Sequence, residues 1–329
     1  MDGRELDTAA REYYAERYDV VVDYEFEAKP PIRLNDHAPK DQAARRCRFC
    51  GLGMPAVTFK KKAHAVPEIL GCKTIRSMNE CDKCNSFLAR EYEDHLGKWS
   101  QFARSVSQVK GKAGAPSYAN PSDTMRFENT EGKLSIALTD KSLFDVAAGA
   151  QDPFSFKLLT DVPSSTYVPL QAAKALVKIA CSVCPGEDLP QCQRAISWLM
   201  TGKGISGSNF PVLRGFTPGP PEAFQSKVIL LRRKQPGQEP YLWCVLQYLN
   251  HRLQFFVPLC PIDDPIFQGG PVTLRIRYYR PPEIPFDWPH GESKYWRDDW
   301  SSEEESQLSI SLCFNVQHAE VVRRPGEME

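Results

Sequence analysis

The spacing of hydrophobic and polar positions changes several times along this chain, and each change marks an element. From Arg4 to Arg17, Leu6, Ala9, Ala10, Tyr13 and Tyr14 recur at helical intervals, which predicts a helix with one apolar side. Val22, Tyr24 and Phe26 then alternate with Asp23 and Glu25, the period of a half-buried strand over Val20–Phe26, ended by Pro30-Pro31. Residues 35–44 read as a polar connector. Val57, Phe59 and the lysines after them form a strand pattern ending at Ala63-His64, and Pro67 and Gly71 turn the chain. A helix is expected from Asn85, with Leu88, Tyr92, Leu96 and Trp99 on one face.

Gly111, Gly114, Pro116, Asn120 and Pro121 punctuate a linker. Beyond it the periods mix. Helices are expected over Pro169–Val183, stopped by Pro185, and over Leu189–Met200. Strands are expected at Lys133–Leu138, Val228–Leu231, Tyr241–Tyr248, Leu253–Leu259 and Val272–Tyr279. Alternation of Leu308, Ile310, Leu312, Phe314 and Val316 with Ser309, Ser311, Cys313 and Asn315 predicts a last, half-exposed antiparallel strand. The aromatic stretch Phe286–Trp300, bracketed by prolines, reads as a loop packed onto its own domain. Together these give an α+β chain. An N-terminal arm spans 1–44, a compact module 45–115, and a mixed, mostly antiparallel α+β domain 116–329.

Composition adds little to this until charge is divided among the segments. Over 329 residues, 42% hydrophobic and 25% charged positions are ordinary for a globular chain. No apolar run is long enough to cross a bilayer, and the acidic N-terminus lacks a signal core, so no membrane partner is expected. Eleven cysteines, an odd number, fit a reducing cytoplasmic location better than a disulfide framework. The net charge is zero, yet residues 45–112 carry fourteen Lys/Arg against six Asp/Glu, while residues 1–44 carry six against eleven. The acidic arm could therefore cover the basic module or join a partner subunit.

The chemistry concentrates in that basic module. Cys47-Arg-Phe-Cys50 and Cys81-Asp-Lys-Cys84 are two Cys-x-x-Cys pairs, each able to present two sulfurs to one tetrahedral ion. Two such pairs complete a four-thiolate zinc site; the bland alternative is four buried thiols at this spacing by chance. His64 lies between the pairs and Asn85 follows the second. A metal clasp would pin a strand end carrying His64 against a helix start carrying Asn85. Arg46, Arg48, Lys60, Lys61, Lys62 and Arg90 are the candidate phosphate contacts on this basic segment, although most lysine runs are only solvated faces.

The pattern Cys-x-x-Cys, Ala-His64-Ala-Val-Pro67, Leu70-Gly71, Cys81-x-x-Cys84-Asn85 resembles the HNH endonucleases, and most closely the type 5 subgroup. Tyr92-Glu-Asp-His-Leu96 and Lys110-Gly-Lys112 extend the likeness over residues 46–116, and Ala175-Leu-Val-Lys178 continues it loosely. The resemblance implies a zinc-stapled ββα-metal fold and a magnesium- or manganese-dependent enzyme hydrolysing DNA phosphodiesters, with a role in defence against foreign DNA. It implies His64 as general base and Asn85 as the last residue of the HNH triplet, near the catalytic metal. Two positions depart from the pattern. Ala63 stands where many HNH enzymes place a metal ligand. Cys72 stands where the middle Asn is expected, leaving the later Asn79 as the candidate. Glu68, Glu80 or Asp82 could supply a carboxylate, and the sequence selects none of them. A module that binds nucleic acid or protein without cutting is the alternative.

Cys181, Cys184 and Cys192 could form a second metal site but read better as small hydrophobes at a helix end. His37, His95, His251, His290 and His318 carry no partner motif. The C-terminal domain is expected to sense a signal, recognise substrate, or mediate homo-oligomer or partner-protein contacts.

Overall fold

Helix α1 (Gly3–Arg17) runs directly into strand β1 (Tyr18–Glu25), and β2 follows at Ile32–Leu34. The module holds β3 (Ala63–His64), β4 (Ile75–Ser77) and three short helices, α2 (Asp82–Leu88), α3 (Asp94–Trp99) and α4 (Gln101–Val106). Strands β5 (Tyr118–Ala119), β6 (Met125–Thr130), β7 (Lys133–Leu138), β8 (Phe144–Val146) and β9 (Ser155–Pro163) come next. Helices α5 (Pro169–Val183) and α6 (Leu189–Thr201) precede β10 (Pro211–Phe216), β11 (Lys227–Arg233), β12 (Leu242–Tyr248) and β13 (His251–Phe256). The short α7 (Asp264–Phe267), β14 (Lys294–Asp299) and β15 (Ser309–Asn315) complete the order. This computed structural model describes residues 3–34, 44–112, 114–119, 123–130, 133–138, 144–146, 155–163, 165–203, 209–220, 223–267, 274, 276–279, 288–307 and 309–315.

The fold is α+β. Its main sheet has six antiparallel strands in the order β1-β11-β12-β13-β10-β14. The central strands β11 and β12 are buried on both faces, and their two-residue period divides them between two cores. Val228, Leu230, Leu242, Cys244 and Leu246 face the principal core. Ile229, Leu231, Trp243 and Val245 face Tyr14 and Tyr18, supplied by α1 and the start of β1.

Helix α5 lies inside the principal core. Pro169 opens it at a position where the missing N–H costs nothing, and the chain leaves helical geometry at Cys184, just before Pro185. Apart from Gln171 every residue from Pro169 to Val183 is buried, the pattern of a helix enclosed on all sides. It packs on α3, on the wider turn Ala89–Glu93, and on α6. Val22, Phe26, Cys47, Ile75, Leu88, Leu176 and Leu230 belong to one hydrophobic cluster, so packing crosses both segment boundaries drawn from the sequence. The acidic arm is likewise built in. β1 pairs with β11, and β2 pairs parallel with β4, forming a small sheet β2-β4-β3.

Several elements differ from the sequence expectation. The helix expected from Asn85 begins at Asp82 and is interrupted by a π turn over Ala89–Glu93; Leu88, Tyr92, Leu96 and Trp99 are nevertheless all buried. Val57 and Phe59 are buried but lie outside any strand, leaving β3 only two residues long. The aromatic loop contains the edge strand β14, whose Tyr295 and Trp296 pair with Gly215 and Arg214. Hydrogen bonding to β10 outweighs the loop signal of the flanking prolines. In the segment expected as strand Val272–Tyr279, the described residues 274 and 276–279 are not strand. The rest of that segment, His37 and His318 lie outside the described residues.

Candidate metal cluster and basic cavity

The first cysteine knuckle is a tight turn. Gly51 N–H donates to the Cys47 carbonyl at 2.8 Å, and Cys47 N–H donates to the Leu52 carbonyl at 2.8 Å. Gly51 takes a positive φ of 72°, which an L side chain would resist. The second knuckle is a helix start. Cys81 caps α2, its sulfur accepting from the Cys84 amide at 3.4 Å. The knuckles are tied together: Arg48 N–H donates to the Asn79 carbonyl at 2.8 Å, and the Cys81 amide donates to the Cys47 sulfur at 3.4 Å.

Cys47, Cys50, Cys81 and Cys84 therefore converge, with all four sulfurs within 4.8 Å of one another. Sulfurs about 2.3 Å from a tetrahedral zinc lie about 3.8 Å apart. The Cys50–Cys81 separation of 3.9 Å matches that spacing. Hydrogen bonding from Cys84, aided by the amides of Cys50, Cys81 and Phe49 and opposed by burial, pulls the Cys47 thiol down to about 5, toward the metal-binding thiolate. The four cysteines fit a closed structural metal site such as zinc.

His64 ends β3 opposite Arg76 of β4. Its imidazole is mostly enclosed, with Nδ1 3.9 Å from a Glu68 carboxylate oxygen. Burial lowers its pKa, Glu68 opposes this, and Lys178 and Arg76 add to the lowering, so the neutral base is favoured. Its carbonyl accepts a hydrogen bond from the Lys178 ammonium at 2.7 Å. Lys178 rises from α5, fully enclosed, 2.9 Å from Glu93 and 3.7 Å from Glu80. Burial lowers the pKa of this ammonium, but Glu80 and Glu93 outweigh burial and leave it raised. Glu80 is also fully enclosed; burial pushes it up to about 7, against the pull of Lys178. Among the described residues both its oxygens lack a hydrogen-bond partner, since 3.7 Å is too long for one.

The remaining candidates separate. Asn85 is half-buried in the first turn of α2, beside the cluster, and no hydrogen bond or ion pair joins it to His64. Asn79 is committed locally, its side-chain oxygen accepting from Ser77 at 3.3 Å. Cys72 is fully buried against the Phe26 carbonyl. Asp82 is also committed: its carboxylate accepts from Thr58 at 2.5 Å and from the amides of Lys60 and Lys61 at 3.1 and 2.7 Å. With Glu80 held beside Lys178, Glu68 is the carboxylate left next to His64.

Of the candidate phosphate contacts, Arg48 needs correction. It is buried, and its guanidinium donates to the carbonyls of Cys181, Ser182 and Cys184 at 2.7, 3.3 and 2.8 Å. It caps the negative end of α5 and does not face a phosphate. Lys60, Lys61 and Lys62 are exposed, and Lys61 also donates to Ser86 at 2.9 Å. Arg46 is exposed and folds back onto the Arg45 carbonyl, while Arg90 pairs with Glu91 at 2.7 Å on the outer face of the π turn.

A cavity of about 290 Å³ opens beside β3, lined by six cations: Arg33, Arg45, Lys60, Lys61, Lys62 and Arg76. Sequence reasoning missed Arg33 and Arg76, which lie far apart in the chain and meet through the parallel β2–β4 pairing. It also missed Glu93 and the role of Lys178. Two lysines, Lys174 and Lys178, inside a largely apolar helix were the available signal.

The second cysteine group lies in the principal core. Cys181, Cys184 and Cys192 are fully enclosed, with Cys192 and Cys184 sulfurs 3.4 Å apart. Among the described residues they do not make a metal-sized cluster like that of the knuckles. His95 is structural, accepting from the Val168 amide at 3.0 Å. No described helix is long and apolar enough to cross a membrane. Comparison of the chain with protein-family models, curated proteins and solved structures finds no match to any of them.

Proposed function

We propose that the module is an HNH-type endonuclease hydrolysing DNA phosphodiesters with magnesium or manganese. The observation that carries this reading is His64: a mostly enclosed imidazole held neutral, 3.9 Å from a carboxylate, on a strand beside the four-cysteine cluster. A neutral imidazole accepts a proton from an attacking water. Glu68 would orient the ring and stabilise the imidazolium that forms. Glu68 is the group beside His64 that would hold a hard divalent ion, which would supply charge stabilisation for the leaving oxygen, with Asn85 the further ligand that the resemblance implies. Lys60, Lys61, Lys62, Arg46 and Arg90 would meet the backbone phosphates. The same resemblance suggests defence against foreign DNA as the setting. Binding of manganese to the zinc-loaded chain, followed by electron paramagnetic resonance, tests the ion site. Uptake of one ion that Glu68→Ala abolishes supports it; identical uptake by both contradicts it.

A non-cutting, zinc-stapled binding module is the second reading. Cys72 favours it, because the position expected for the middle Asn is a sealed core thiol. A plasmid-nicking assay with each metal separates the two: nicking supports the enzyme, and DNA binding without nicking supports the module.

A further inference from the structure

Strand pairing sets three side chains in one row across the small sheet. Arg33 of β2 pairs with Arg76 of β4, and Arg76 pairs with His64 of β3. Paired residues on neighbouring strands project from the same face. Burial agrees with this. The next row, Leu34, Ser77 and Ala63, is buried, whereas Arg33 is exposed and Arg76 and His64 are half-buried. Neighbouring strands lie about 4.8 Å apart, so Arg76 stands one strand spacing from His64 and Arg33 stands two. The acidic arm thus supplies a cation to the face that carries the proposed base.

Two arginines side by side repel each other unless an anion lies between them. Neither Arg33 nor Arg76 forms an ion pair or a hydrogen bond among the described residues. They line the cavity together with Lys60, Lys61 and Lys62. Glu80, the one acidic residue in that lining among those described, has its carboxylate sealed beside Lys178. Arg76 Nε is sealed as well, which leaves the terminal nitrogens of that guanidinium to meet a ligand. Donors without an open carboxylate select an oxyanion, and two guanidinium forks suit the oxygens of a phosphate. Contacts of this kind position a backbone and read no base. We propose that Arg33 and Arg76 clamp one backbone phosphate of a DNA strand, next along that strand to the phosphate beside His64. This deepens the nuclease reading and rests on it. The strand would cross the small sheet from β3 over β4 to β2.

The test is fluorescence anisotropy of labelled DNA on the full, zinc-loaded chain without magnesium or manganese, so that binding is read apart from cutting. Arg33→Ala should weaken binding about tenfold, with zinc content unchanged. Arg33→Lys should retain more binding than Arg33→Ala. Arg33→Glu should abolish binding yet leave Tm unchanged or higher, because the new carboxylate faces Arg76; a merely structural arginine would lose Tm instead. Arg33→Ala combined with Arg76→Ala should weaken binding by less than the product of the two single losses, because both residues hold one phosphate. Binding insensitive to Arg33→Ala, or single losses that multiply in full, overturns the clamp. Calorimetry with inorganic phosphate separates the two sources of the oxyanion: if phosphate binds the chain and DNA does not, the assignment to a strand is overturned. DNA binding with this pattern by a chain that never nicks plasmid would retain the clamp and remove the nuclease reading. Nicking with binding indifferent to Arg33 would do the reverse.

Discussion

The Lys178 ammonium lies 2.7 Å from the carbonyl oxygen of His64, so a helix of the C-terminal half holds the strand end that carries the proposed base. The same ammonium, itself fully enclosed, lies between the fully enclosed Glu80 and the partly exposed Glu93.

Removing that cation should be costly. Lys178→Met leaves the buried Glu80 and the partly exposed Glu93 without their counter-ion; breaking a buried pair in this way is typically worth about 3–5 kcal/mol. Urea denaturation should show a loss of that size, and Lys178→Met combined with Glu80→Gln should recover part of it. A single substitution within about 1 kcal/mol of wild type would show that the network contributes little, since that is the scale of exposed pairs.

Metal removal should act on the whole chain. Structural zinc binds the folded state, so its binding energy becomes folding energy. Zinc content should be about one per chain, and Cys81→Ser should abolish it. Because Cys47, Cys81 and Leu176 share one core with the main sheet, chelation should lower a single melting transition and not melt the module alone. Calorimetry showing two separated transitions would contradict that coupling.

Arg48 and the lysine run should give opposite phenotypes. Arg48→Ala removes a charged cap from α5 and should cost about 2 kcal/mol or more of stability. It should leave the salt dependence of DNA binding unchanged. Replacing Lys60, Lys61 and Lys62 by Ala should leave Tm nearly unchanged and reduce the salt slope by about 0.9 for each phosphate no longer neutralised. Fluorescence anisotropy across a salt series measures the slope, and thermal denaturation measures the stability.

Acid should destabilise the fold through its histidines. His251, its ring set between Trp99 and Phe216, is lowered to about 4 by burial, with Arg214 adding to it. The unfolded histidine titrates near 6.5, so the unfolded state binds more protons between the two values. Stability should be full above about pH 6.5 and fall as pH drops toward about 4. His251→Phe should flatten that part of the curve. His64 shifts in the same direction, so the acid limb of any cleavage rate should have its midpoint below about 6.5.

Local devices are readable in this sequence, and the long-range ones are hidden. Two Cys-x-x-Cys pairs announce the cluster because the ligands of each pair sit three residues apart within one turn. The apolar period of Pro169–Val183 announces α5. By contrast, Arg48 sits in a basic stretch, and its use as a cap depends on Cys181, 133 residues further along the chain. Arg33 and Arg76 are brought together by a parallel pairing that no local pattern encodes. The edge strand β14 is masked by the prolines before it and by its own charges, and those charges suit an edge that neighbouring chains should not extend. The middle residue of the triplet is not recovered: Asn79 bonds to Ser77, and Cys72 is core.

The most direct measurement is cleavage of supercoiled plasmid by the purified zinc-loaded chain in magnesium or manganese, beside His64→Ala at matched zinc content and Tm. Wild type should yield nicked product ending in 5′-phosphate, and the variant should yield none. Equal nicking by both, or none from wild type with either metal, would contradict the assignment of His64 as the base of a nuclease.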